Sequence, residues 1–98
     1  MQQIILQTNN SEKVLPLLRD IINRETMRLN RSLNLSKKRL VKFESTYKVS
    51  SDKFIDEWAA EDLPGKDMEY IEWAGEFELA MRLRDRISML ESIENVRQ

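Results

Sequence analysis

The clearest order in the chain is a recurrence of apolar positions between residues 14 and 47. Val14, Leu18, Ile22, Leu29, Leu33, Leu40, Phe43 and Tyr47 follow one another in steps of three, four or seven, and Glu25 and Ser36 fill the same phase. Such steps return a side chain to one face of an α-helix. The phase survives Asn34 and Ser36, so the pattern predicts one helix over 12–47, roughly 54 Å long at about 1.5 Å per residue. A second stripe, Tyr70, Trp73, Phe77, Ala80, Leu83, Ile87 and Leu90, predicts a long helix over 67–95 with Asp67 at its cap. Between them, Val49-Ser50-Ser51-Asp52 breaks the first pattern and offers a serine cap and a first-turn acid to a short helix over 51–61. Leu63-Pro64-Gly65 ends that helix.

Gln2 to Thr8 is too short for a stable helix and carries Ile4 and Ile5, so the opening arm, residues 1–10, reads as a short strand. Nothing later reads as a second strand. An unpaired strand edge seeks a partner, and the expected one is the same arm of another copy. Asn9, Asn10 and Ser11 supply a turn and a helix cap, while Pro16 admits a start a few residues later. The expected fold is therefore all-α and a single domain over 1–98. It is an elongated, coiled-coil-like hairpin of two long helices with a short elbow helix, preceded by a strand that pairs across a homodimer.

Composition removes most chemistry. The 98 residues contain no cysteine and no histidine, which excludes disulfides, thiolate chemistry and the commonest general base and metal ligand. No apolar run approaches a membrane span and no signal-peptide pattern opens the chain, so the expected location is cytoplasmic, away from any membrane. The net charge of -1 hides a division: residues 1–50 carry ten Lys and Arg against four acids, whereas 51–98 carry six against thirteen. Opposed halves either neutralise each other within the fold or address charged partners.

Three constellations stand out. Glu69 with Glu72, and Glu91 with Glu94, are carboxylate pairs one helical turn apart, an arrangement that can hold Mg²⁺. They faintly resemble the motif of all-α nucleotide pyrophosphohydrolases, an ExxE followed by a later ExxD, but the final Asp is absent. The expectation is a non-enzyme with no cofactor and no metal, and a Mg²⁺-dependent pyrophosphohydrolase is the outlying alternative. The second constellation is the stretch from Asp52 to Glu78, with ten acids against Lys53 and Lys66. Its aromatics Phe54, Trp58 and Trp73 read either as core or as anchors for a basic protein, with Glu69, Glu72 and Glu76 as the steering acids on one helical face. The third is the basic flank Arg24, Arg28 and Arg31, followed by Lys37, Lys38, Arg39 and Lys42, which suits weak phosphate contact. Gln3 and Gln7 on the arm invite a ribbon-helix-helix reading, but the following helix runs too long before its first turn.

The segments Tyr47-Lys48-Val49-Ser50-Ser51-Asp52-Lys53-Phe54 and Asp67-Met68-Glu69-Tyr70-Ile71-Glu72-Trp73 resemble a family of small prokaryotic proteins encoded beside ribonuclease-like toxins. These are antitoxin-like members of type II toxin-antitoxin operons, and the resemblance extends over 12–92. Lys48-Val49 stands where the family has Gly-Met. The resemblance implies neutralisation of a cognate toxin protein, operator binding by the complex, and no catalytic site. A homo-oligomeric adaptor or regulator without a toxin is the alternative.

Overall fold

The structure, a computed structural model, describes residues 3–59, 62–63 and 65–93. Three helices form: α1 (Ser11–Tyr47), α2 (Ser51–Glu57) and α3 (Asp67–Glu91). α1 and α3 run antiparallel, as a short connection between long helices favours. Near the elbow, Phe43 and Tyr47 stack on Trp73. Farther along, the Ser36 hydroxyl donates to the Glu76 carbonyl at 3.2 Å. The second stripe and the first from Leu29 onward lie on this seam, whereas Val14, Leu18 and Ile22 near the start of α1 are only half-buried. Leu29, Leu33, Ser36 and Leu40 from α1 and Trp73, Ala80, Leu83 and Ile87 from α3 are buried, and Phe43, Tyr47, Tyr70, Phe77 and Leu90 pack against them.

The molecule is a rod of 62 × 26 × 18 Å with a radius of gyration of 19.0 Å. A compact chain of this length has a radius near 13 Å. The shape follows from unequal helices. α1 has 37 residues and α3 has 25, so α1 is longer by roughly 18 Å, and the surplus lies at its N-terminal end because the other end is tied to the elbow.

Several boundaries differ from the sequence expectation. Residues 3–8 form no strand, and no strand occurs among the described residues. A strand takes its hydrogen bonds from a neighbour, and a single chain with no second strand supplies none. Asn10 precedes the first turn of α1, and Pro16 sits inside the helix as its sixth residue, so the Glu12 carbonyl goes without the amide it would otherwise accept from. α2 stops at Glu57, ahead of the expected 61. Trp58 turns into extended backbone, and the Ala59 amide donates to the Asp62 carboxylate at 2.7 Å, a local bond that competes with another helical turn. Lys66, not Asp67, is the cap position of α3. α3 ends at Glu91, where the Ser92 hydroxyl donates to the Met89 carbonyl at 2.6 Å, and the expected last residues 94–95 lie outside the described residues.

The break after α1 has its own geometry. Lys48 adopts the left-handed conformation, φ 57°, at the C-cap. Glycine is the residue that enters that region without steric cost, so the lysine side chain is held there against a local penalty.

Candidate functional site

The elbow is built around Trp73. Its ring is fully buried and lies parallel to Phe54, with centroids 3.7 Å apart, while Phe43 stacks at 5.4 Å and Trp58 approaches at 6.3 Å in a tilted arrangement. The indole Nε1 donates to the Ser51 hydroxyl at 2.9 Å, and Ser51 in turn donates through both its hydroxyl and its amide to the Glu44 carboxylate, each at 2.8 Å. Glu44 thereby satisfies a free amide at the start of α2 and fixes that helix against α1. Ser50 adds its own cap by accepting from the Lys53 amide at 3.3 Å. The segments Tyr47–Phe54 and Asp67–Trp73 meet at this aromatic hub.

This placement decides which aromatics can face a partner. Phe54 and Trp73, taken from the sequence as partner-binding, have no exposed surface in this conformation and form the core. Trp58 is half-buried, stands edge-on to Tyr47, and has its carbonyl bonded by the Tyr70 hydroxyl at 3.3 Å. The Tyr47 hydroxyl is buried without a hydrogen-bond partner. Burial, and then the nearby Glu69 carboxylate, push its pKa above the usual tyrosine value, against the opposing pull of Lys66.

The three acids Glu69, Glu72 and Glu76 do share one face of α3. They form one wall of a shallow groove whose opposite wall is Arg39, Lys42 and Thr46 of α1, with Phe43 between. Arg39 pairs with Glu76 at 3.4 Å, while the other carboxylate oxygen of Glu76 is buried and unpartnered. Lys66 approaches Glu69 to 3.9 Å. The opposed charges of the two halves are thus partly neutralised inside the fold, along this groove.

Acids farther round the elbow lie outside that groove. Asp52, Asp56, Glu57, Asp62 and Asp67 are all exposed, with Lys53 near Glu57 at 4.0 Å. Among them stand apolar residues that the periodicity does not select: Ile55, Met68 and Ile71 are exposed. They fall outside the buried stripes of α2 and α3. An apolar residue out of phase in an acid-rich helix is the signal that would have marked them.

On the basic flank, Arg24 pairs with Asp20 at 3.1 Å, and Arg28 grips Glu25 with both Nε and Nη2, at 2.6 and 2.9 Å. That bidentate bond lowers the Glu25 pKa and raises that of Arg28, with Arg86 of α3 adding to the effect on Glu25. Arg31, Lys37 and Lys38 are exposed. Of the carboxylate pairs, Glu69 and Glu72 both line the groove, and Glu94 lies outside the described residues. Among the described residues, no group of three or more carboxylates converges to hold a metal ion, and no helix is long and apolar enough to cross a membrane. No family model, curated protein or solved structure matches the chain.

Proposed function

We propose that this chain is an antitoxin-like binding protein whose acidic elbow docks on and neutralises a basic, ribonuclease-like toxin, and that it performs no catalysis. The observation that carries the reading is the pairing, at one end of the rod, of uncompensated acids with exposed apolar side chains. Asp52, Asp56 and Asp67 supply negative potential, Glu72 on the groove wall beside Lys42 adds to it, and Ile55, Met68 and Ile71 supply surface to bury. Charge of one sign steers a basic partner and apolar contacts hold it. The resemblance over Tyr47–Phe54 and Asp67–Trp73 supports the same reading, with those aromatics shaping the elbow rather than touching the toxin. Trp58, half-exposed beside Tyr47, is the aromatic of the original set that remains available to a partner. Operon autoregulation by the complex follows from the family resemblance, through the basic flank.

Co-expression with the adjacent gene is the test, scored by growth and by co-purification. Ile71→Asp with Met68→Glu should release the partner while leaving helicity intact, because both side chains already face solvent. Charge reversal at Glu72 should slow association and sharpen its salt dependence. A neighbouring product that is harmless alone, or one that stays toxic and unbound beside this protein, ends the antitoxin reading. The exposed Ile4, Ile5 and Leu6 favour a second reading, a homo-oligomeric adaptor whose N-terminal arms pair between copies.

A further inference from the structure

α3 carries a glycine that its own fold does not require. Gly75 is exposed in the interior of the helix, its φ is not positive, and a Cβ there would meet nothing within 4 Å. Neither a turn nor close packing within the chain calls for glycine, which weakens a helix relative to alanine. The surface around it is apolar. Met68, Ile71 and Leu79 are exposed, and at about 100° per residue they share with Gly75 an arc of roughly 80°, turned roughly 120° from the buried stripe. This second face runs about 17 Å along α3, and the glycine leaves a notch in it.

Charge follows the same register. Residues 67–79 hold five acids and no basic residue, whereas Arg82, Arg84 and Arg86 follow directly, so the apolar face and the acidic stretch end together at Leu79. Asp67 and Glu72, which flank the face on either side, make no ion pair with any described residue. The overhang of α1 beyond α3 is apolar as well, but there Glu12 and Asp20 balance Lys13 and Arg19, and charge selects nothing. We infer that a basic amphipathic helix of the partner crosses α3 at Gly75. It sets an apolar side chain into the notch between Ile71 and Leu79 and brings Lys or Arg beside Asp67 and Glu72. A helix is the occupant because α3 offers no free backbone edge for an added strand to bond, whereas a missing side chain lets a second helix axis come close. The inference rests on the reading of this chain as the binder of a basic protein.

The complex obtained by co-expression with the adjacent gene tests this, with affinities measured by titration calorimetry on the full-length chain. Gly75→Ala should raise the thermal midpoint of the free protein and yet weaken the complex. A role confined to the fold would not separate the two. Gly75→Leu should weaken the complex by roughly tenfold or more, as extra methylenes forced into a packed contact do. Asn34→Leu, which adds bulk at an exposed position of α1, should leave the affinity unchanged. A photo-crosslinker at position 79 should attach to a helical segment of the partner with Lys or Arg one turn from the point of attachment. Full affinity in Gly75→Leu, an equal loss in Asn34→Leu, or attachment to an acidic or non-helical segment each overturns the inference and leaves the binding reading standing. Absence of any complex with the wild-type chain overturns both.

Discussion

Trp73 and Ser51, 22 residues apart in sequence, share a buried hydrogen bond of 2.9 Å from the indole Nε1 to the serine hydroxyl. Removing that acceptor leaves a buried donor unsatisfied, which costs about 1–3 kcal/mol. Ser51→Ala should therefore lower the urea midpoint. In a cycle with Trp73→Phe, the two changes should couple by more than the roughly 0.5 kcal/mol that independent sites show. Additive effects would remove the bond from the account of the elbow.

Tyr47 should control the alkaline limb of stability. Its phenol has a raised pKa in the folded chain, so the neutral form is favoured by folding. That contribution is fully present below the ordinary tyrosine value near pH 10 and is lost as pH rises through the folded value. Tyr47→Phe should flatten the difference between thermal midpoints at pH 8 and pH 11. Its effect at neutral pH should be small, because the hydroxyl makes no hydrogen bond of normal geometry and Glu69 and Lys66 act on it in opposite directions. An unchanged alkaline limb would acquit Tyr47.

Three backbone positions should respond in opposite directions. A Cβ at Gly75, in the interior of α3, would meet nothing within 4 Å, so Gly75→Ala should stabilise by about 0.5–1 kcal/mol. Lys48, at φ 57°, should gain a similar amount as Lys48→Gly, since a side chain there works against the left-handed turn. Gly65, at φ 74°, should lose stability as Gly65→Ala. Each 1 kcal/mol appears as about 4–8 °C in Tm for a chain of this size.

The basic flank should bind nucleic acid weakly and without sequence preference. Arg24 and Arg28 are engaged with Asp20 and Glu25, which reduces what they offer phosphates. Fluorescence anisotropy at several salt concentrations should show steep loss of binding with salt. Arg31→Ala should weaken every sequence alike and reduce the salt slope by about 1. Operator-specific affinity of the isolated protein near physiological salt would point to an autonomous DNA-binding role.

The periodicity made the long helices legible because burial along a two-helix seam repeats every three or four residues, and Leu29, Leu40, Trp73 and Leu83 obey that geometry. Even the polar exceptions were in phase: Ser36 lies buried against the backbone of Glu76, and Glu25 is half-covered near Arg86. The elbow was less legible. Whether Phe54 faced inward depended on where α2 folds back, and that is set by the Glu44–Ser51 and Ala59–Asp62 bonds, which leave no periodic trace. The arm forms no strand in the single chain: Ile4 and Ile5 have strand propensity, but propensity without a pairing partner makes no strand. Spacing puts Glu76 on one face with Glu69 and Glu72, yet its pairing with Arg39 spans 37 residues, beyond the reach of local pattern.

The inequality of the two long helices sets a direction for folding. The indole bond to Ser51 closes a separation of 22 residues, whereas the Ser36 bond to Glu76 closes 40, and pairs nearer the overhang close still more. Loop-closure entropy rises with each added span, so the elbow is the least costly place to begin and the seam extends from it like a zip. Reversal follows the same track from the other end. Amide exchange should be slowest around Phe43, Tyr47 and Trp73 and should quicken steadily toward Ser11, leaving the elbow as the last part of the chain to lose its shape.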